Sequence, residues 1–235
     1  MFIISEISPQ FGNDLELAEQ MIFQSKLAGA HAAKIQLYPT TMFFESPNDY
    51  LVSRELSFDD FKRLKEFGDN LNIPVFATAF TEELLEWCTE LKQKYYKVAA
   101  RMHKESPELV EKIMVCDGHI FISVPAGYDE SEFIVKDNYS YLSCVSKYPT
   151  LLEDVVIPDF KNSIFSGISD HSVGISAALY AAARGASLLE KHFTVSTALQ
   201  RSNETAHYGS MDRFELEQIA TLSREMELIA LNNNS

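Results

Sequence analysis

Ile164-Phe165-Ser166-Gly167-Ile168-Ser169-Asp170-His171 and Ser187-Leu188-Leu189-Glu190-Lys191-His192-Phe193 flank an Ala-rich stretch at residues 173–184. Each flanking run opens apolar, as a strand covered on both faces must, and closes on polar or ionisable side chains. The stretch between them is long enough for a helix that crosses back over the sheet. The unit therefore predicts strand, helix, strand, with the two strands parallel.

The same alternation continues outward. Apolar runs rich in Ile, Val, Phe and Ala stand at residues 1–7, 32–37, 75–80, 95–100, 120–124 and 140–145, and with 164–168 and 187–193 they make eight. Amphipathic spacing predicts helices at 14–29, 58–71, 82–91 and 212–231. Gly29 suits a C-cap, Ser57 with Asp60 is a capping-box signal, and Thr81 is an N-cap before Glu82 and Glu83. Ser106-Pro107 starts another helix, with proline at its first position. The weakest helical units are 129–135 and 149–160. Eight strand–helix units predict an α/β fold, a (β/α)8 TIM barrel in a single domain over residues 1–231, with 232–235 a disordered tail. The competing open, doubly wound sheet lacks a G-x-G-x-x-G turn after the first strand.

Composition excludes several classes. The chain has 235 residues, with 20 basic against 34 acidic side chains and a net charge of −14. That balance argues against nucleic-acid binding, which draws on Lys and Arg. No apolar run reaches the length of a membrane helix, and the N-terminus lacks the basic region and cleavage site of a signal peptide. Three widely spaced cysteines, Cys88, Cys116 and Cys144, make a disulfide framework improbable and point to a reducing cytoplasm.

The strand ends carry the functional signal. They finish on Glu6; Lys34 and Gln36; Thr78; Lys97; Ser123; Ser146; Ser169, Asp170 and His171; and Glu190, Lys191 and His192. In a barrel these C-terminal ends converge on one mouth, where active sites lie. A period of two puts Lys34 with Gln36, Ser169 with His171, and Glu190 with His192 on shared faces. Charges in a barrel lumen are costly unless paired or used. The bland alternative is a set of structural ion pairs, such as Glu190 with Lys97. Two histidines on adjacent strands with glutamate nearby suit a divalent metal, and two lysines with several hydroxyls suit phosphate and carboxylate. Pattern alone does not choose the chemistry.

Several motifs resemble those of the sialic acid synthase (N-acetylneuraminate synthase) family. They are Ile4-Ser5-Glu6-Ile7, Ala33-Lys34-Ile35-Gln36, Ala77-Thr78-Ala79-Phe80, Ser143-Cys144-Val145-Ser146-Lys147-Tyr148-Pro149, Ser169-Asp170-His171 and Glu190-Lys191-His192-Phe193-Thr194, in that order. The resemblance implies a transferase that condenses phosphoenolpyruvate with an amino sugar aldehyde, with help from Mn2+ or Mg2+. The product is a nonulosonic acid, a 2-keto sugar acid of the sialic acid type. It implies Glu6, Lys34 and Lys97 as catalytic residues and His171 and His192 as metal ligands. Thr78, Ser123, Ser146 and Ser169 would surround phosphoenolpyruvate, and Gln36 and Tyr148 would line the sugar side. It further implies a homodimer, in the cytoplasm, with no nucleic-acid or membrane partner.

The chain departs from the family at definite positions. Gln10-Phe11 replaces Asn-His, Met102 stands where a glutamate is usual, Ala100 replaces serine, and Ser143 replaces histidine. Asn203-Glu204-Thr205-Ala206 stands where the family has Pro-Gly-Pro-Asp, and the resemblance covers the barrel without the family's C-terminal antifreeze-like domain. Glu204, His103 and Arg101 are candidate substitutes, with His103 also readable as a solvated loop residue; His207 is ambiguous. Packing roles are expected for Trp87, Cys88 and Cys144, and structural roles for His31 and His119 at the opposite end of the barrel. Phe43-Phe44 is expected to cover the mouth or meet a partner. The alternatives are another barrel aldolase, or a non-catalytic barrel that binds a phosphorylated or carboxylated ligand or a partner subunit.

Overall fold

The computed structural model describes residues 1–125, 127–199 and 208–233. Eight parallel strands form one sheet: β1 (Phe2–Glu6), β2 (Ala32–Leu37), β3 (Val75–Ala79), β4 (Tyr95–Val98), β5 (His119–Pro125), β6 (Tyr139–Cys144), β7 (Phe165–Asp170) and β8 (Leu188–His192). Their order is β3-β2-β1-β8-β7-β6-β5-β4. The first and last strands of the chain are neighbours, so the sheet curls into a nearly closed TIM barrel whose only unladdered seam, among the described residues, lies between β3 and β4.

Helices pack on the outside: α1 (Leu15–Leu27), α2 (Asp49–Val52), α3 (Phe58–Asn70), α4 (Glu82–Glu90), α5 (Met102–Glu105), α6 (Pro107–Ile113), α7 (Ser176–Ala183) and α8 (Arg213–Asn233). The capping signals act as the sequence suggests. Ser57 and Asp60 form a reciprocal capping box, and Thr81 Oγ1 accepts from the Leu84 N–H at 3.3 Å. Gly29 follows α1 at φ +98°, a left-handed conformation that ends the helix and that glycine adopts at low cost.

Two expectations change. The helices expected at 129–135 and 149–160 are single 3-10 turns, Glu130–Glu132 and Leu152–Asp154. Pro149 and Pro158 bracket the second segment, and neither segment has an apolar stripe to bury. Helix α8 continues to Asn233, so the first two residues of the expected tail extend it; residues 234–235 lie outside the described residues. Among the described residues no helix is long and apolar enough to cross a membrane.

The core has two parts. Between barrel and helices lies the larger one, with Met21, Phe61, Ile35 and Leu189 among its buried members. Inside the barrel, Ile4, Ala32, Phe76, Phe121, Leu142 and Leu188 make a smaller apolar plug, with Phe2 and Tyr95 against it. Gly167 is the tightest of the described glycines: a Cβ there would lie 1.6 Å from the Leu188 carbonyl oxygen.

Candidate active site

The plug sets the floor of the site. Two residues further along each strand, the inward position becomes Glu6, Lys34, Thr78, Lys97, Ser123, Cys144, Ser169 or Glu190. Together they form a polar layer directly above the apolar one. Gln36, His171 and His192 stand at the next level. All of these line one cavity of about 580 Å³ at the C-terminal mouth. The eleven residues singled out from sequence (Glu6, Lys34, Gln36, Thr78, Lys97, Ser123, Ser146, Tyr148, Ser169, His171 and His192) all border it.

The polar layer is cross-linked. Lys34 Nζ donates to Glu6 Oε2, and to Thr78 Oγ1 at 3.2 Å, and stands 3.7 Å from Glu190 Oε2. Gln36 Nε2 donates to Glu6 Oε2 at 3.3 Å, and the Ser8 N–H donates to Glu6 Oε1 at 2.7 Å. Lys97 Nζ donates to Ser123 Oγ at 2.7 Å and to the Val98 carbonyl at 2.8 Å. Glu190 Oε1 takes the Ser169 hydroxyl at 3.1 Å and lies 3.8 Å from Lys97 Nζ. The ion pair expected as the bland alternative is therefore present, and it lies in the wall of a cavity.

The neighbouring lysines separate the two carboxyls. Burial pushes Glu6 above its ordinary value, with Lys34 opposing. Burial acts on Glu190 in the same direction, but Lys34 and Lys97 together outweigh it and hold Glu190 low. Burial disfavours the charge on Lys34, yet Glu190 and Glu6 more than restore it, so its pKa is raised. Lys97 is held low, because burial outweighs Glu190. Two carboxyls driven apart in this way can divide acid and base roles.

The histidine wall is ordered by its surroundings. His171 Nδ1 lies 3.0 Å from the Val145 carbonyl oxygen. A carbonyl only accepts, so Nδ1 carries the proton and Nε2 keeps its lone pair. Burial holds His171 below the usual imidazole range, which favours that neutral form. The Tyr148 ring packs 4.1 Å from His171, and the His192 ring stands 6.0 Å from His171, centroid to centroid.

Of the other residues that line the cavity, Arg54 and Glu105 were not legible as site residues, whereas Arg101 was a candidate and Phe43 and Phe44 were expected at the mouth. Arg54 and Arg101 border it, so the lysines are not the only strong positive charges at the mouth. The Arg54 guanidinium donates to the Pro9 carbonyl at 3.2 Å. The Arg101 guanidinium sits over the Phe43 ring at 4.6 Å and pairs with Glu105 at 2.6 Å. Glu105 also lines the cavity and brings a carboxylate three residues after Met102, which is buried elsewhere. Phe43 and Phe44 cover the mouth, Phe43 packing edge-on to Tyr38 and Phe80. No periodic signal marks Arg54, in a turn, or Glu105, at the end of α5.

Other expectations resolve locally. His103 is half-buried instead of solvated: its ring packs edge-on to Phe133 and its Nε2 lies 3.0 Å from the Ser123 carbonyl. Cys144 lines the cavity wall and is buried. His31 Nδ1 accepts from the Ile3 N–H at 3.1 Å, and His119 Nε2 meets Ser140 Oγ at 2.9 Å, both structural contacts. Gln10 Nε2 donates to Ser210 Oγ at 2.6 Å, and Phe11 is core. Ala206, Glu204 and His207 lie outside the described residues.

Comparison with known proteins agrees with this geometry. Residues 21–234 match the model of the NeuB family. The chain belongs to the NeuB family. It is 25% identical to the N,N'-diacetyllegionaminic acid synthase of Legionella pneumophila, over 97% of this chain and 72% of that protein. It is 26% identical to the pseudaminic acid synthase of Campylobacter jejuni, over 92% of this chain and 71% of that protein. Among solved structures, the N-acetylneuraminic acid synthetase of Leptospira borgpetersenii superposes with a TM-score of 0.86 at 28% identity, covering 97% of this chain and 84% of that one. Within this NeuB-family chain the polar layer and histidine wall occupy the end of the barrel where catalytic groups of such barrels gather.

Proposed function

We propose that this NeuB-family chain condenses phosphoenolpyruvate with an amino sugar aldehyde to give a nonulosonic, sialic-acid-like 2-keto sugar acid. The observation that carries the reading is the pairing of two buried lysines with two imidazoles in one cavity at the strand ends. The Legionella and Campylobacter relatives, a legionaminic acid and a pseudaminic acid synthase, support the product class.

The balance is simple. C3 of the enol attacks the aldehyde carbon, water adds at C2, and phosphate leaves by cleavage of the C2–O bond. The new hydroxyl takes a proton. Lys34 and Lys97 hold the two anionic groups of phosphoenolpyruvate, with hydroxyls from Thr78, Ser123, Ser146 and Ser169 around them. An incoming anion displaces the carboxylate contacts on those ammonium groups and offsets their loss. Glu6, whose proton is held more tightly by burial, would deliver it to the aldehyde oxygen. Gln36 and Tyr148 line the sugar side.

His171 and His192 suit a divalent ion, Mn2+ or Mg2+. The fit rests on a neutral imidazole whose Nδ1–H is tied to a backbone carbonyl, the usual arrangement behind a ligating Nε2. Among the described residues no group of three such side chains stands close enough to hold the ion alone, so substrate or water would complete the set. Bound there, the ion would act as a Lewis acid on the aldehyde oxygen.

Incubation with phosphoenolpyruvate, Mn2+ and a panel of amino sugars tests the reading. Phosphate release is expected with at least one sugar, and it should vanish in His171→Ala or His192→Ala. Saturable phosphoenolpyruvate binding without release would favour a binding-only barrel. No binding at all would reject both.

A further inference from the structure

Neighbouring positions on β7 and β8 carry two different pairs. His171 and His192 line the cavity. Asp170 and Lys191, one residue before each, do not; they are register partners across the two strands. Their ion pair spans 2.8 Å, with the side chains 2% and 0% exposed. A pair this dry gains little net stability, because desolvation offsets the attraction. Its better use is to impose one geometry.

The remaining contacts show which geometry. Lys191 Nζ also donates to the Ser172 carbonyl at 2.6 Å. Asp170 Oδ1 accepts from the Ser172 N–H at 2.8 Å and from its hydroxyl at 2.7 Å. The backbone on the far side of His171 is thus held by the ion pair. Towards β6, the Thr150 N–H donates to the His171 carbonyl at 3.0 Å, and the His171 ring reaches the Val145 carbonyl. His171 is clamped between β8 and the segment that follows β6.

We propose that Asp170 and Lys191 are positioning residues whose buried ion pair sets His171 and His192 side by side for ligand binding. Its functional consequence rests on the reading of those imidazoles as metal ligands. The double variant Asp170→Leu/Lys191→Met replaces the pair with apolar groups of similar volume, a change that is often near-neutral for stability. Measured on the whole chain, its melting temperature should nonetheless fall, because the buried Ser172 N–H, hydroxyl and carbonyl lose these partners. Mn2+ affinity by titration calorimetry should drop by about 10-fold or more, as for other lost supports of a metal ligand. The His171 Nδ1–H resonance should shift or vanish. A double variant with parental Mn2+ affinity and an unmoved resonance overturns the proposal. Should that variant fail to fold, Ser172→Ala keeps the ion pair and removes only one bond to Asp170. A weaker Mn2+ affinity with a shifted resonance then supports positioning, and parental values of both reject it. A parent chain that binds no Mn2+ sinks the ligand reading instead, and the resonance alone decides whether the pair positions His171.

Discussion

Glu6 and Glu190 share one lysine neighbour, Lys34, yet their pKa values move in opposite directions. The difference is the number of cations each faces: Glu190 lies between Lys34 and Lys97, while Glu6 meets Lys34 alone. Lys97 is the less compensated of the two lysines and has the more to gain from an arriving anion. Lys97→Ala should therefore weaken phosphoenolpyruvate binding more than Met102→Ala, whose side chain does not reach the cavity. Equal losses in a binding titration would refute the proposed anion site. The structural histidines make a second, separate prediction. Burial holds His31, His103 and His119 below the ordinary value of 6.5. The unfolded chain then binds more protons, so stability is lost as pH falls from 6.5 toward the folded-state values. The melting temperature should drop between about pH 7.5 and about 5.5, and His31→Gln should flatten the fall. His31 is the sharpest probe, because protonation removes the lone pair that accepts from Ile3. A slope unchanged by the substitution would rule out that role.

At the scale of elements, β7 and β8 depend on one missing side chain. Gly167→Ala would press a methyl group into the Leu188 carbonyl, backbone against backbone, with no flexible group to yield. Denaturant titration should show a loss of about 3 kcal/mol or more. A loss below about 1 kcal/mol would mean that the two strands can slide apart without harm to the fold. Ser57→Ala offers a milder comparison: it removes half of the capping box before α3 and should cost about 1 kcal/mol. The strands were legible because each is short, apolar and punctuated, and the polar strand ends then named the inward side chains, except on β6, where Cys144 and not Ser146 takes the inward place. The absence of helices after β5 and β6 was less legible. Segments 129–135 and 149–160 sit where a barrel calls for helices, but their own sequence supports only turns.

The whole molecule carries a net charge of −14, while the polar layer itself balances: Lys34 and Lys97 against Glu6 and Glu190. At long range an anionic substrate meets repulsion, and attraction begins only inside the mouth. Salt screens the far field more than the buried contacts. The association rate of phosphoenolpyruvate should therefore rise as ionic strength increases from about 0.01 M to about 0.15 M. A falling rate would show that the arginines at the rim, Arg54 and Arg101, dominate the approach.

The sequence by itself determined the barrel, the end of it that carries chemistry, and the eleven inward or mouth-lining side chains. Local periodicity and burial are enough for the strand-end residues, because a strand covered on both faces tolerates polar groups only where they are used; Tyr148 came from the family resemblance. Only the tertiary structure decided the partners: Glu190 shared between two lysines, Asp170 joined to Lys191 behind the histidine wall, and Arg54 and Glu105 brought to the rim beside Arg101. Those contacts join residues far apart along the chain, and their distances follow from how the strands curl and the loops fold over them, which no local pattern encodes.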